Sequence, residues 1–296
     1  MEETISEKIR RTFGEADDKR DAGITAPENV VRYDNIQYGG DARWQVLDVY
    51  RPKNEEGKIL PVIISVHGGG WVYGDKDRYQ WYCLDLATRG FAVVNFTYRL
   101  APEFQYPAPF EDTNLAVEWT LAHAAEYGFD TKNIFMVGDS AGAHILSLYG
   151  AICTNPEYAK TYPFTVPQGF VPNAIVLNCG LAEIVIKKDQ PGDTPKLMEV
   201  FLPGKGTPEE LHQISMKHFV TGDYPPTYIM TAEGDFLRDQ APVMAAKLTE
   251  QNVPMIYRFY QSKERVLGHV FQLNIRLDEA KECNDDECNF FRKYMK

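Results

Sequence analysis

NIFMVGDSAG, residues 133–142, is the stretch whose reading decides the fold. Its uncharged apolar run at 134–137 is what a strand buried on both faces requires. From Ala141 onward the apolar residues recur at helical spacing. Between the two lies Gly138-Asp139-Ser140-Ala141-Gly142. Its small glycines permit a tight strand-to-helix turn that lifts the Ser140 oxygen clear of a sheet, and the helix N-terminus beyond offers positive potential to a developing anion. Strand, turn and helix in this order form a nucleophile elbow, with Ser140 as the candidate nucleophile. An ordinary glycine turn around a structural serine fits the same five residues, so the rest of the chain has to decide.

Outward from this turn, short apolar runs at 61–66, 91–96, 174–178, 227–231 and 255–260 read as further strands. Helical patterns at 77–89, 110–127, 141–151 and 275–295 intervene or follow, which is the alternation of a mostly parallel sheet flanked by helices. Ahead of them, 30–38 and 43–50 predict an antiparallel pair separated by Gly39-Gly40-Asp41. Ile5, Ile9 and Phe13 recur at helical spacing among charged residues and predict an amphipathic N-terminal helix. Nearly fifty residues separate the runs at 174–178 and 227–231, too many for a bare loop. Pro191-Gly192, Pro203-Gly204 and Pro225-Pro226 divide that stretch into short pieces. The expectation is an α/β fold with an eight-stranded sheet, one domain over residues 1–296, capped by about 1–25 and about 181–222.

A second glycine cluster, His67-Gly68-Gly69-Gly70-Trp71, follows the strand at 61–66. Glycines let backbone N–H groups converge on an oxyanion without side chains filling the space. Gly69 and Gly70, with the N–H of Ala141, are the candidate donors. A phosphate loop would need a Lys-Ser or Lys-Thr that is absent here. A serine nucleophile also needs a base. Of six histidines, His67 opens the glycine loop, His123 precedes the nucleophile, His144 lies inside the next helix, and His212 and His218 belong to the long insertion. His269 alone follows the last predicted strand, where an imidazole can reach the carboxyl edge of the sheet. Asp235, just past the strand at 227–231, is the candidate acid that fixes its tautomer, with Glu233 and Asp239 as alternatives. Gly68, Trp71 and Tyr73, and with them Trp81 and Tyr82, are candidates for the substrate pocket or its lid.

HGGGW at 67–71, YRLAPE at 98–103, GDSAG at 138–142 and the settings of Asp235 and His269 together resemble the hormone-sensitive-lipase-like family of serine esterases, over roughly residues 30–275. The resemblance implies the α/β-hydrolase fold, hydrolysis of short-chain acyl esters by water, no cofactor, and a pocket roofed by the N-terminal helix and the insertion. Two departures stand out: Ala143 where the family has a further glycine, and Lys263-Glu264-Arg265 inserted ahead of the histidine. Other outcomes on the same scaffold are an amidase such as an arylformamidase, or a non-catalytic binder like the plant gibberellin receptors, which lack the catalytic histidine. A homodimer through the last strand is common on this scaffold.

A formal charge of −11 argues against nucleic acid and anionic membranes as partners. The charged first twenty residues lack the apolar core of a signal peptide, and no run reaches membrane-spanning length, so the expected location is cytoplasmic. Cys83, Cys153, Cys179, Cys283 and Cys288 are odd in number and irregularly spaced, suggesting neither a disulfide framework nor a zinc site, and no metal is expected.

Overall fold

In the computed structural model, which describes residues 3–186 and 192–296, helix α1 (Ile5–Asp21) leads into the antiparallel pair β1 (Val30–Gln37) and β2 (Val46–Pro52). Strand and helix then alternate through β3 (Leu60–Val66), α2 (Lys76–Ala87), β4 (Ala92–Phe96), α3 (Ala108–Ala122), α4 (Ala124–Tyr127), β5 (Phe129–Asp139), α5 (Ala141–Thr154), α6 (Pro156–Ala159) and β6 (Ile175–Asn178). Helices α7 (Thr194–Phe201) and α8 (Pro208–Gln213) occupy the long connection to β7 (Thr227–Ala232). The chain continues through α9 (Gln240–Glu250), β8 (Met255–Tyr260) and α10 (Asp278–Arg292).

Among the described residues the strands form one eight-stranded sheet in the order β1-β2-β4-β3-β5-β6-β7-β8. All pairings from β4 to β8 are parallel, and β2 joins β4 antiparallel. From β3 the chain steps first to β4 on one side and then to β5 on the other. That reversal opens a crevice beyond the carboxyl ends of β3 and β5, where ligands collect in open α/β sheets. The glycine loop follows β3 and Ser140 follows β5, so the topology brings both motifs to this crevice.

The interior strands are rich in Val, Ile and Phe because helices cover both of their faces. Tyr82, Cys83 and Leu86 of α2 pack with Cys283, Phe290 and Phe291 of α10 on one face, where the Phe135 and Phe291 rings stack at 4.8 Å. Trp119 of α3, Ile145 and Leu148 of α5, and Met244 and Leu248 of α9 fill the other. Each such side chain contributes about 1.5–3 kcal/mol of burial.

Boundaries differ from the sequence reading where tertiary pairing intervenes. β5 starts at Phe129 because that residue pairs with Leu60. The helix expected at 110–127 breaks at His123, giving α3 and α4, and the terminal helix is shorter at both ends than 275–295. Of the proline punctuation, Pro203-Gly204 separates α7 from α8 and Pro225-Pro226 precedes β7, whereas Pro191 lies outside the described residues.

Candidate active site

Ser140 occupies the turn between β5 and α5 at φ 52°, ψ −119°. A left-handed conformation in a non-glycine residue stores about 1–3 kcal/mol and persists only where the surroundings hold it. Here they do. The Ser140 N–H donates to the Asn178 carbonyl at 2.8 Å and its own carbonyl caps α5 through His144 N–H at 3.0 Å. The flanking glycines are required sterically: a Cβ on Gly142 would stand 2.1 Å from the Val66 carbonyl oxygen, and one on Gly138 would stand 2.7 Å from that of Gly142.

Two loops beyond the ends of β7 and β8 bring the candidate acid and base together. The Asp235 Oδ1 lies 2.6 Å from His269 Nδ1. Oδ1 also accepts the Leu237 N–H at 2.9 Å, and Oδ2 accepts the Thr231 hydroxyl at 2.7 Å. Burial alone would raise the pKa of Asp235, but the bonds from His269, Thr231 and Leu237 hold it below the usual carboxylate value. The loops are stitched one residue ahead of each partner: Gly234 and Gly268 form a parallel bridge, and the Gly234 N–H donates to the Leu267 carbonyl at 2.9 Å. With Nδ1 turned to Asp235, Nε2 is left for the cleft that His269 and Ser140 both line. The alternatives are occupied elsewhere: Glu233 accepts the Ser262 and Leu267 amides, and the Asp239 side chain is 98% exposed.

The glycine loop is braced from behind. Its first residue, His67, stacks on Tyr98 at 3.9 Å, and the Tyr98 hydroxyl donates to the His67 carbonyl. The Gly68 N–H donates to the Tyr79 hydroxyl, which donates in turn to Asp139 Oδ2, each at 2.8 Å. Burial pushes the Asp139 carboxyl up to about 7. Gly69, at φ 119°, could not carry a Cβ, which would stand 2.1 Å from the Tyr73 carbonyl oxygen. The Gly69 and Gly70 amides have no protein acceptor among the described residues, and Ala141 opens α5, whose first-turn amides have no intrahelical acceptor.

The remaining histidines stand apart from this arrangement. His144 is buried with Nε2 2.7 Å from the Ile214 carbonyl, and His212 of α8 stacks on His218 just beyond that helix.

The cleft over Ser140 measures about 430 Å³. Gly68, Gly69 and Tyr73 line it, but Trp71 does not. Trp71 adopts φ 62°, is 3% exposed, and stacks on Phe201 at 5.0 Å with its edge against His144, so it belongs to the core beneath α7. A Cβ on Gly70 would face Leu197 and Ile9. Tyr82 is core as well, bonded to Glu287, and Trp81 packs with it. The walls that sequence reasoning missed are Phe13, Asp17 and Arg20 of α1, Tyr79 of α2, and Phe236 and Phe271 beside the acid and base loops. For Phe13 a signal existed in the helical spacing of Ile5, Ile9 and Phe13; for Phe236 and Phe271 it lay only in their nearness to Asp235 and His269.

Sheet order and the strand-turn-helix elbow are those of the α/β-hydrolase fold, and the relatives and solved structures the chain resembles make it a carboxylic ester hydrolase. Within that class the chain belongs to the BD-FAE family, whose model matches residues 47–248. It is 31% identical over 249 residues to versiconal hemiacetal acetate esterase of Dothistroma septosporum, covering 79% of this chain and 73% of that one. Carboxylesterase NlhH of Mycobacterium tuberculosis is 31% identical over 211 residues, 66% of this chain and 62% of its own length. Among solved structures, esterase B of Lactobacillus rhamnosis superposes with a TM-score of 0.88 at 25% identity, covering 97% of this chain and 94% of that one. Esterase B has also been solved inhibited by a tributyrin phosphonate. The resemblance to hormone-sensitive-lipase-like esterases is thereby borne out.

Proposed function

We propose that Ser140 is the nucleophile of a short-chain carboxylesterase, with His269 as general base, Asp235 as its orienting acid, and the Gly69, Gly70 and Ala141 amides as oxyanion donors. The observation that carries this reading is the 2.6 Å bond between His269 and a buried Asp235, across one cleft from a strained Ser140. His269 Nε2 takes the Ser140 proton as the hydroxyl attacks the ester carbonyl, then gives it to the departing alcohol; water repeats the sequence on the acyl-enzyme. Each oxyanion donor is worth roughly 3 kcal/mol in the transition state.

Acyl chains from acetyl to butyryl fit a cleft of about 430 Å³ walled by Phe13, Tyr79 and Phe271. The acetate ester named for one relative and the tributyrin phosphonate bound by esterase B support the same range. We assign about 1–25 and about 181–222, so far as these residues are described, to a cap over this single domain, with Leu197 and Ile9 reaching the glycine loop. We place the enzyme in a reducing compartment, the cytoplasm, on the five unpaired cysteines of the chain. The open edge of β8, with Tyr257 and Phe259 each about two-fifths exposed, is the face we assign to a homodimer.

Ser140→Ala is expected to lower kcat for p-nitrophenyl acetate by about 10⁵-fold or more with the thermal transition retained. A butyl phosphonate should add once to the wild-type chain by intact mass and not to the variant. Retained turnover would sink the assignment. Faster hydrolysis of a decanoyl than of a butyryl ester would refute the acyl range, and a preference for formanilides over phenyl esters would favour the amidase reading.

A further inference from the structure

Directly behind the acid-base pair, at the end of β6, stands Cys179, a buried residue at φ 49°. Its Sγ accepts the Val270 N–H at 3.4 Å, one residue past His269. The donor atoms of Cys179, Asp235 and His269 all lie within 4.8 Å of one another, and among the described residues this is the one cluster of three such donors. Sulfur, carboxylate oxygen and imidazole nitrogen together suit a borderline-soft divalent ion of tetrahedral habit. Bond lengths of about 2.0–2.3 Å to zinc imply donor separations of roughly 3.3–3.6 Å, so binding breaks the 2.6 Å bond between His269 and Asp235 and moves those two donors about 1 Å further apart. Mg²⁺ or Ca²⁺ would leave the sulfur unused. The ion's entry is through the cleft, past the His269 ring, whose side chain is 15% exposed.

We propose that Cys179, Asp235 and His269 form an inhibitory Zn²⁺ site, its fourth position open to water from the cleft. Inhibition rests on the esterase reading above; the binding itself does not. As Zn²⁺ takes the lone pair on Nδ1, the ring proton moves to Nε2, and the Cys179 thiol proton leaves to solvent as the Zn–S bond forms. An imidazole protonated at Nε2 cannot accept the Ser140 proton. Metal binding and base catalysis therefore exclude each other at one ring.

The test titrates the purified chain with Zn²⁺ while following p-nitrophenyl acetate turnover, then adds EDTA. Near-complete inhibition, reversed by EDTA, is expected in the wild type. Cys179→Ala and Cys179→Ser should need about tenfold or more Zn²⁺ for half inhibition, each measured against its own metal-free rate. Cd²⁺ supplies a readout free of turnover: its ultraviolet thiolate band should appear with wild type and with Ser140→Ala, and vanish with Cys179→Ala. Equal Zn²⁺ sensitivity in wild type and Cys179→Ala, or no thiolate band with Ser140→Ala, overturns the site. A wild-type chain that gives the band yet hydrolyses no ester supports the site and overturns the hydrolase assignment instead.

Discussion

At the scale of single residues, Phe236 is the least expected member of the site. It is 72% exposed, yet its ring lies 4.1 Å from that of His269 at 39°. In the proposed mechanism this imidazole becomes cationic, where an aromatic face over it contributes about 0.5–2 kcal/mol, and the same ring offers a platform to a planar leaving group. Phe236→Ala is expected to lower kcat/KM for phenyl acetate about fivefold, equivalent to ~1 kcal/mol, and to lower that for ethyl acetate less. Equal losses on both esters would remove the platform role. The positions of Ser140 and Asp235 were readable from the sequence because apolar runs mark strand ends well, Ser140 coming directly after β5 and Asp235 three residues after β7, whereas His269 lies nine residues past β8 and was singled out by chain order. The place of Trp71 was not readable, since a positive φ that the sequence does not announce turns its ring into the core.

Among the elements, α1 shows how the YRLAPE segment works. Tyr98 steadies His67, while Glu103 holds both terminal nitrogens of Arg10 at 2.6 and 2.8 Å. Arg10 also donates to the carbonyls of Val72 and Ala101, so one side chain ties α1 to the glycine loop and to the loop after β4. Because the pair is about one-third exposed, solvent weakens its ionic part. Arg10→Ala should cost about 1–2 kcal/mol of stability, mostly through the lost carbonyl bonds, and should raise KM more than it lowers kcat, since the α1 wall loosens while Ser140 stays in place. Unchanged KM would show that α1 docks without it. The helix itself was readable from its period, and Thr4 with Glu7 forms the expected kind of start, a capping box. What the stripe covers was not readable: Ile5 and Ile9 enter the core, but Phe13, on the same stripe, stands 40% exposed at the mouth of the cleft.

For the molecule as a whole, buried acids and buried histidines pull stability in opposite directions with pH: burial pushes His67 and His144 down to about 4, so they add stability as pH rises from there to the ordinary histidine range, while two buried acids do the reverse. Glu287 in α10 accepts the Tyr82 hydroxyl at 2.6 Å and the Asn178 side-chain amide at 2.7 Å, and burial raises its pKa to about 7, as it does that of Asp139. A carboxyl raised in the folded state keeps its proton where the unfolded chain has lost it. Its stabilising influence is therefore complete below the ordinary carboxylate pKa, declines as pH climbs from there to about 7, and changes little above. The span for Glu287 is roughly 3 kcal/mol. Asp235, held low, acts in the opposite sense and only as pH falls below the usual carboxylate range. Glu287→Gln should accordingly gain melting temperature relative to the wild type on going from pH 5 to pH 8; an offset between the two chains that is the same at both pH values would assign the effect elsewhere. Nothing in CNDDEC at 283–288 announced this, because its acids look like a solvated helix face, whereas packing against Tyr82 and Asn178 takes Glu287 to 0% exposure. The eight-stranded, mostly parallel sheet was more legible than such burial, since strands follow from runs and connections, while burial depends on which helix face meets the sheet. The Gly234–Gly268 bridge has one last consequence. Since it fixes both loops a single residue before Asp235 and His269, whatever precedes it between β8 and Leu267 can change in length without moving the imidazole. The extra Lys263-Glu264-Arg265 is thus a tolerated graft, and this exposed bend is where a reporter peptide could be spliced in with the chemistry left running.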